Sequence, residues 1–181
     1  MKKTLSIIIS AVLVLTFLST QTAFAFSDVP DTHKNSEAIN FLQENGVIQG
    51  YKDGTFKPDN KVNRAEFLKI IIEGSDIPLN SSVQTGFSDV DESAWYAPYI
   101  RKAKKEGWIE GYGDGTFRPA SEINKVEALK ILGKVQNWDV KKKVPAAPFK
   151  DVAALAWYTP YVEYAKEHNF LEVQGAYFQP S

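Results

Sequence analysis

The chain writes one pattern of apolar and polar positions three times. Phe26-Ser27-Asp28-Val29 returns as Phe87-Ser88-Asp89-Val90, 61 residues on, and again as Phe149-Lys150-Asp151-Val152, a further 62 residues on. A helical stretch follows each copy. In the second, Trp95, Tyr99 and Ala103 fall at i, i+4 and i+8, with Tyr96 and Ile100 beside them. That spacing predicts an amphipathic helix with these residues on its buried face. Pro98 suits the first turn, where a missing N–H costs little. Gly107 stands where a left-handed cap ends a helix, and Gly46 and Asn169 stand at the matching points of the other copies. The third copy repeats the aromatic signature as Trp157-Tyr158-Thr159-Pro160-Tyr161-Val162, whereas the first has His33-Lys34-Asn35-Ser36 in its place.

A loop and a second helix come next. GYKDGTFKPDNKVNRAE, residues 50–66, recurs as GYGDGTFRPASEINKVE, residues 111–127, with nine of seventeen positions identical. Asp53-Gly54 and Asp114-Gly115 are turn dipeptides. Phe56 and Phe117 give each loop an apolar anchor. Asn63 and Asn124 then precede an apolar stripe and have Glu66 and Glu127 three residues later. This is a capping box with Asn as the N-cap.

The expected fold is mainly α, with three helix-loop-helix repeats over residues 26–86, 87–148 and 149–181. No single unit can bury its stripe alone. The expected solution is a pseudo-threefold, three-pronged arrangement, with the three first helices as a central bundle and the second helices outside. Segments 75–85 and 137–148 read as polar linkers.

The first 25 residues change the picture. Lys2 and Lys3, an apolar run over residues 5–18 and Ala23-Phe24-Ala25 make a secretory leader, with cleavage expected after Ala25. The run is shorter than the roughly 20 residues a spanning helix needs. The formal charge is −1, and loss of two leader lysines makes the mature chain more acidic. That excludes a broadly basic nucleic-acid binder. The absence of cysteine excludes a thiol nucleophile, thiolate metal sites and a lipid-modified N-terminal Cys. His33 and His168 match no metal-ligand spacing.

On these residues the chain resembles the S-layer homology family. Its repeats read approximately F-x-D-V, W-x-x-x-x-I, G-Y-x-D-G-T-F-x-P and (I/V)-T-R-A-E. The matching positions here are Phe26–Val29, Phe87–Val90 and Phe149–Val152; Trp95–Ile100 and Trp157–Val162; Gly50–Pro58 and Gly111–Pro119; and Val62–Glu66. The resemblance implies a module that holds exported proteins on the bacterial cell wall. Its ligand would be an anionic, often pyruvylated, secondary polysaccharide attached to peptidoglycan, bound in grooves between prongs. The basic residue of T-R-A-E is the family's main ligand contact, which carries over to Arg64 and Lys125.

Three departures matter. Asn63 and Asn124 replace the family's Thr, and Lys125-Val126 stands for Arg-Ala. The third unit reads Val173-Gln174-Gly175-Ala176-Tyr177-Phe178, one residue short and without Asp-Gly, and has no second helix or basic motif before Ser181. The expectation is an incomplete third repeat and at most two grooves with a basic residue, from a degenerate repeat or a fragment of a longer reading frame.

The candidate ligand-binding residues are Arg64, Lys125, Asn63, Asn124, Trp95 and Trp157. Arg64 and Lys125 sit at N1 of their helices, where a cation opposes the helix dipole. Free N–H groups there make an anion site that the cation would deepen; capping and charge balance by Glu66 and Glu127 is the structural alternative. On the anion-site reading, Arg64→Ala leaves the fold intact. Trp95 and Trp157 could stack on sugars, but their spacing puts them on the buried face. Asp28, Asp89 and Asp151 recur once per repeat, which fits turn or cap duty and not a single catalytic constellation. Asp53 and Asp114 lack the alternating acids of a calcium loop.

No catalytic set, cofactor motif or metal motif emerges. The expected protein is a secreted, non-enzymatic anchoring module at the cell wall or S-layer, without a membrane partner after leader cleavage and with a cargo domain beyond the C-terminus. A lattice subunit that binds no polymer, and the N-terminal part of a wall-attached exoenzyme, are the competing readings.

Overall fold

A computed structural model describes residues 26–80, 83–171 and 175–180; the expected leader lies outside them. The described residues form five helices and no strand beyond one isolated antiparallel bridge between Asn63 and Glu122. The helices are α1 (Ser36–Glu44), α2 (Arg64–Gly74), α3 (Ala97–Lys105), α4 (Lys125–Val135) and α5 (Thr159–Glu167). Repeats one and two each contribute two helices. The third contributes α5 and no second helix among the described residues.

Both predicted capping boxes form. Asn63 Oδ1 accepts from the Glu66 N–H, and the Glu66 carboxylate accepts from the Asn63 N–H; Asn124 and Glu127 do the same. Gly46, Gly107 and Asn169 follow the first helices with φ of 71°, 71° and 57°, the left-handed conformation expected of them.

Each loop is closed by the aspartate of its F-x-D-V. Asp28 accepts from the Phe56 and Lys57 N–H groups at 2.8 and 2.7 Å, Asp89 from Phe117 and Arg118 at 2.7 Å each, and Asp151 from Phe178 and Gln179 at 2.8 and 2.6 Å. The second donor in each case, Lys57, Arg118 or Gln179, has φ near 60°. The carboxylate thus holds a residue in a conformation that L-residues avoid. Beside it, the two loop phenylalanines meet face on or tilted, with centroids 5.3, 5.6 and 5.8 Å apart in the three repeats. At Gly111, with φ of 78°, an added Cβ would lie 2.3 Å from the Phe87 ring, so only glycine lets the strand-like backbone cross that ring. The aspartates are structural, as turn duty predicts. Asp53 and Asp114 likewise accept from the backbone and hydroxyl of Thr55 and Thr116.

The arrangement of helices differs from the expected central bundle. The packed pairs are α2 on α3, α4 on α5, and α2 on α4. Each second helix thus serves as the floor for the next repeat's first helix, and the two second helices touch. A bundle of first helices is not among the packed pairs. The reason lies in α3. Its first turn starts at Ala97, so the buried face is Ala97, Ile100 and Ala103 with Tyr99, a narrow stripe of small side chains suited to lying on α2. Leu68 and Ile72 of α2 are fully buried in that contact. The Tyr99 hydroxyl donates to Glu73 of α2, and burial, helped by that carboxylate, pushes the phenol up to about 12. The α4–α5 joint uses a helical glycine: a Cβ on Gly133 would lie 2.7 Å from the Tyr161 ring.

The linkers are not merely polar. Thr85 and Val144 are buried, and Ile77 packs on the central cluster. Thr85 is tied by its N–H and hydroxyl to Glu92, which Arg101 also holds.

Candidate functional site

Arg64 is the first residue of α2, and its guanidinium points away from its own repeat. Nε donates to the Phe117 carbonyl at 2.9 Å, and Nη1 lies 3.3 Å from Glu127 of α4. The guanidinium covers the Phe117 and Tyr112 rings, with centroids at 4.7 and 5.0 Å. The side chain is only 7% exposed. Nη2 makes no hydrogen bond among the described residues.

The first turn of α2 is also closed. The Arg64 N–H donates to Ser121, the Ala65 N–H to Pro119 and the Glu66 N–H to Asn63. No free N–H cluster remains there, so the expected helix-terminus anion site is not present at α2. Three repeat-two carbonyls and the cap have taken its donors. The expectation that Arg64 is dispensable to the fold is overturned for the same reason: its side chain joins repeat one to repeat two.

Arg64 nevertheless forms one wall of a cleft of about 160 Å³. Trp108, Tyr112, Glu127 and Lys130 of repeat two line it, and Trp157 of repeat three closes it. Lys130 Nζ stands 5.2 Å over the Trp157 ring, a cation–π geometry. Glu110 faces Lys134 and Lys130 at 3.3 and 3.5 Å. A hydrogen bond from Lys134, with the charge of Lys130, holds the Glu110 carboxyl below its usual range. The cleft therefore presents cations, a tryptophan face and a tyrosine, partly balanced by two glutamates. Residues from all three repeats build it.

The tryptophans correct the reading of the first helices. Trp95 and Trp157 are each 54% exposed and precede α3 and α5 instead of lying on their buried faces. In each case a hydrogen-bonded turn, closed by the Ala97 and Thr159 N–H groups, delays the helix by half a turn and swings the indole outward. Trp95 rests edge-on against Tyr96 and Tyr99 and lines no part of the Arg64 cleft. Neither Asn63 nor Asn124 lines it; both are occupied as caps.

Lys125 occupies a different place. Nζ donates to the Phe178 carbonyl at 3.1 Å, the same 53-residue reach that Arg64 makes to Phe117. It makes no ion pair among the described residues, and it opens onto an apolar groove with Phe67, Ala128 and Leu132. Lys130, Trp108 and Tyr112 were missed as site residues by sequence reasoning. The signal was available for Lys130: it stands one helical turn beyond Glu127, on the face that carries Arg64's partner.

A model of the S-layer homology domain matches residues 25–68, 86–129 and 148–181, more than half of the chain. The chain belongs to the S-layer homology domain family. It is 33% identical over 133 residues to the S-layer protein sap of Bacillus anthracis, covering 73% of this chain and 16% of that protein. It is 34% identical over 116 residues to the cellulosome-anchoring protein of Acetivibrio thermocellus, covering 62% of this chain and 26% of that protein. An uncharacterised cell wall amidase of Bacillus anthracis is 31% identical over 107 residues, or 59% of this chain and 19% of that protein. The chain thus spans at most about a quarter of the length of these relatives. What relatives of such different names share with it is the repeat, a non-catalytic anchoring module. Family membership places the chain outside the cell, in association with the wall. No described helix is long and apolar enough to cross a membrane.

Proposed function

We propose that this S-layer homology module anchors its polypeptide by binding an anionic, pyruvylated secondary cell-wall polysaccharide in the cleft between Arg64, Lys130 and Trp157. The observation that supports the reading is the composition of that cleft. A cation with an unbonded guanidinium nitrogen, a lysine and an exposed indole face one cavity, and they come from three repeats. The Trp157 ring offers an apolar face to a sugar's C–H groups, while Lys130 and Arg64 Nη2 can pair with an acidic substituent. Glu127 already shares Arg64, so the ligand's carboxylate joins an existing network and does not meet a bare cation. A cargo domain on the same polypeptide would be held at the wall by this contact.

Binding to isolated wall sacculi tests the reading, with and without mild acid extraction of their polysaccharide. Intact sacculi should retain the chain, and extracted sacculi should not. Lys130→Ala and Trp157→Ala should each weaken retention about tenfold, the loss of one charge-assisted or stacking contact. Their thermal stability should match the parent, because both side chains are at the surface. Equal retention on both preparations, or parental binding by both variants, would overturn the proposal.

A further inference from the structure

We infer that the groove beside Lys125 is a docking site for an amphipathic helix of the α4 kind, presented by a further repeat. The groove holds about 280 Å³ and is lined by Phe67 of α2, Ala128 and Leu132 of α4, and Phe170 and Phe178 of repeat three. Its walls are mostly apolar, and Phe170 is 55% exposed.

The molecule itself contains the filled version of this groove. Shifted back by one repeat, Lys125 becomes Arg64, Ala128 becomes Phe67, and Phe178 becomes Phe117. In that earlier place α4 covers the surface. Glu127 pairs with the Arg64 guanidinium, and Ile131 and Val135 join Leu68, Ile72, Ile109 and Phe117 in one core. The lead-in to α4 also helps: Ser121 and Pro119 carbonyls accept from the first two N–H groups of α2, and Ile123 donates to Val62.

The relation between repeats is head-to-tail. Arg64 reaches from repeat one to the Phe117 carbonyl of repeat two, and Lys125 reaches from repeat two to Phe178 of repeat three. Repeat two does not return the contact to repeat one. A head-to-tail operator that has acted twice can act again. Its next application sets a second helix on Lys125, Phe178 and Leu132, as α4 sits on Arg64, Phe117 and Ile71. The meeting of Phe67 and Ala128, each fourth in its helix, in one groove marks where that helix would cross.

The chemistry of the occupant follows. Its third helical residue is acidic, to meet the Lys125 ammonium, which has one carbonyl partner and no carboxylate among the described residues. Its seventh and eleventh positions are aliphatic, as Ile131 and Val135 are in α4. Extended residues before it offer carbonyls to the Lys125 and Val126 N–H groups, for which no backbone acceptor exists among the described residues.

The test uses a fluorescein-labelled peptide with the sequence of residues 119–136, titrated with the folded chain and followed by anisotropy. No wall polymer is present, so the outcome is independent of the proposed ligand. Saturable one-to-one binding is expected. Replacing the peptide's glutamate at the Glu127 position with glutamine should weaken it about tenfold, and Lys125→Ala in the chain should do the same. Ala128→Trp, which fills the groove from a half-buried position, should abolish it while leaving the melting temperature near the parent's. Absence of saturable binding overturns the inference. So does binding indifferent to Lys125→Ala and Ala128→Trp, which would mean the peptide displaces α4. Sedimentation of the chain alone provides the last arm: a dimer abolished by Ala128→Trp would assign the groove to a second copy and overturn it as well.

Discussion

The N-termini of α2 and α4 begin with the same words and end in different states. Each opens with Asn, a basic residue and a Glu at the third helical position, and each forms the same capping box. Each basic side chain reaches the carbonyl of a phenylalanine 53 residues on. Yet Arg64 is buried, ion-paired and stacked on two rings, whereas Lys125 is exposed and bound to one carbonyl. Local sequence determines the cap and the reach in both. What differs is the next helix: α4 stands over Arg64, and no described helix stands over Lys125. Burial in this repeat is a property conferred by the neighbour, as expected of units that contact only adjacent units.

The largest effect that can test this contrast lies in the phenylalanines beneath the two cations. Phe117 is completely buried under Arg64 within the central cluster. Phe117→Ala should cost about 3–5 kcal/mol, from lost transfer energy and an unfilled cavity. Phe178 is nearly as buried, but it lines the groove at Lys125, so its site can relax toward that space. Phe178→Ala should therefore cost clearly less, near the lower end of that range or below it. Urea unfolding of both variants measures the difference. Equal losses would mean that the open groove provides no relaxation and that the two ends are energetically alike.

Arg64→Ala and Lys125→Ala give the next contrast. Loss of Arg64 strands Glu127 and the Phe117 carbonyl at an interface between repeats, at a cost of about 1–3 kcal/mol. Loss of Lys125 removes one hydrogen bond from an exposed chain, so its cost should stay within about 0.5 kcal/mol. Relief of the helix dipole, a few tenths of a kcal/mol, favours both variants and decides neither. Parental stability for Arg64→Ala would show that the guanidinium does not join the repeats.

Much of the local structure was legible because its causes are local. The capping boxes, the left-handed residues after each first helix and the turn role of the F-x-D-V aspartates follow from residue chemistry at short range. The tryptophans were misread because one hydrogen-bonded turn before α3 and α5 breaks the helical phase that the spacing assumes. The central bundle was misassigned because both helices of a repeat are amphipathic, and periodicity does not say which pair meets. Only the small residues on the face of α3, Ala97 and Ala103, hint that it lies flat on another helix. Arg64 was placed correctly at the candidate cleft and wrongly as a free anion site. Its partners, Phe117 and Glu127, lie 53 and 63 residues away, beyond any local rule.

The smallest effect concerns acid, and it separates the loop clamp from the cation above it. Hydrogen bonds from the Phe178 and Gln179 N–H groups, with the charge of Lys125, hold the Asp151 carboxyl below its usual range; burial opposes them but does not prevail. Asp28 is lowered by the Phe56 N–H and then Lys57, and Asp114 falls to about 2 through the Thr116 hydroxyl and the Arg118 guanidinium. A carboxylate lowered on folding stabilises the fold fully above its unfolded pKa, about 4. That contribution is lost as pH falls through the lower folded value. The melting temperature should therefore hold from pH 7 to about 5 and decline from about pH 4 downward. Asp151→Asn keeps the shape of the clamp but removes its charge, so it should lower the melting temperature at pH 7 and flatten part of the acid decline. Adding Lys125→Ala to the parent should soften the decline only slightly, since its charge acts after the two N–H donors. Thermal melts at pH 7 and pH 3 on the three chains decide the matter. An unchanged acid slope in Asp151→Asn would mean that the clamp's charge does not stabilise the third loop, and that its shape alone holds Phe178 beneath Lys125.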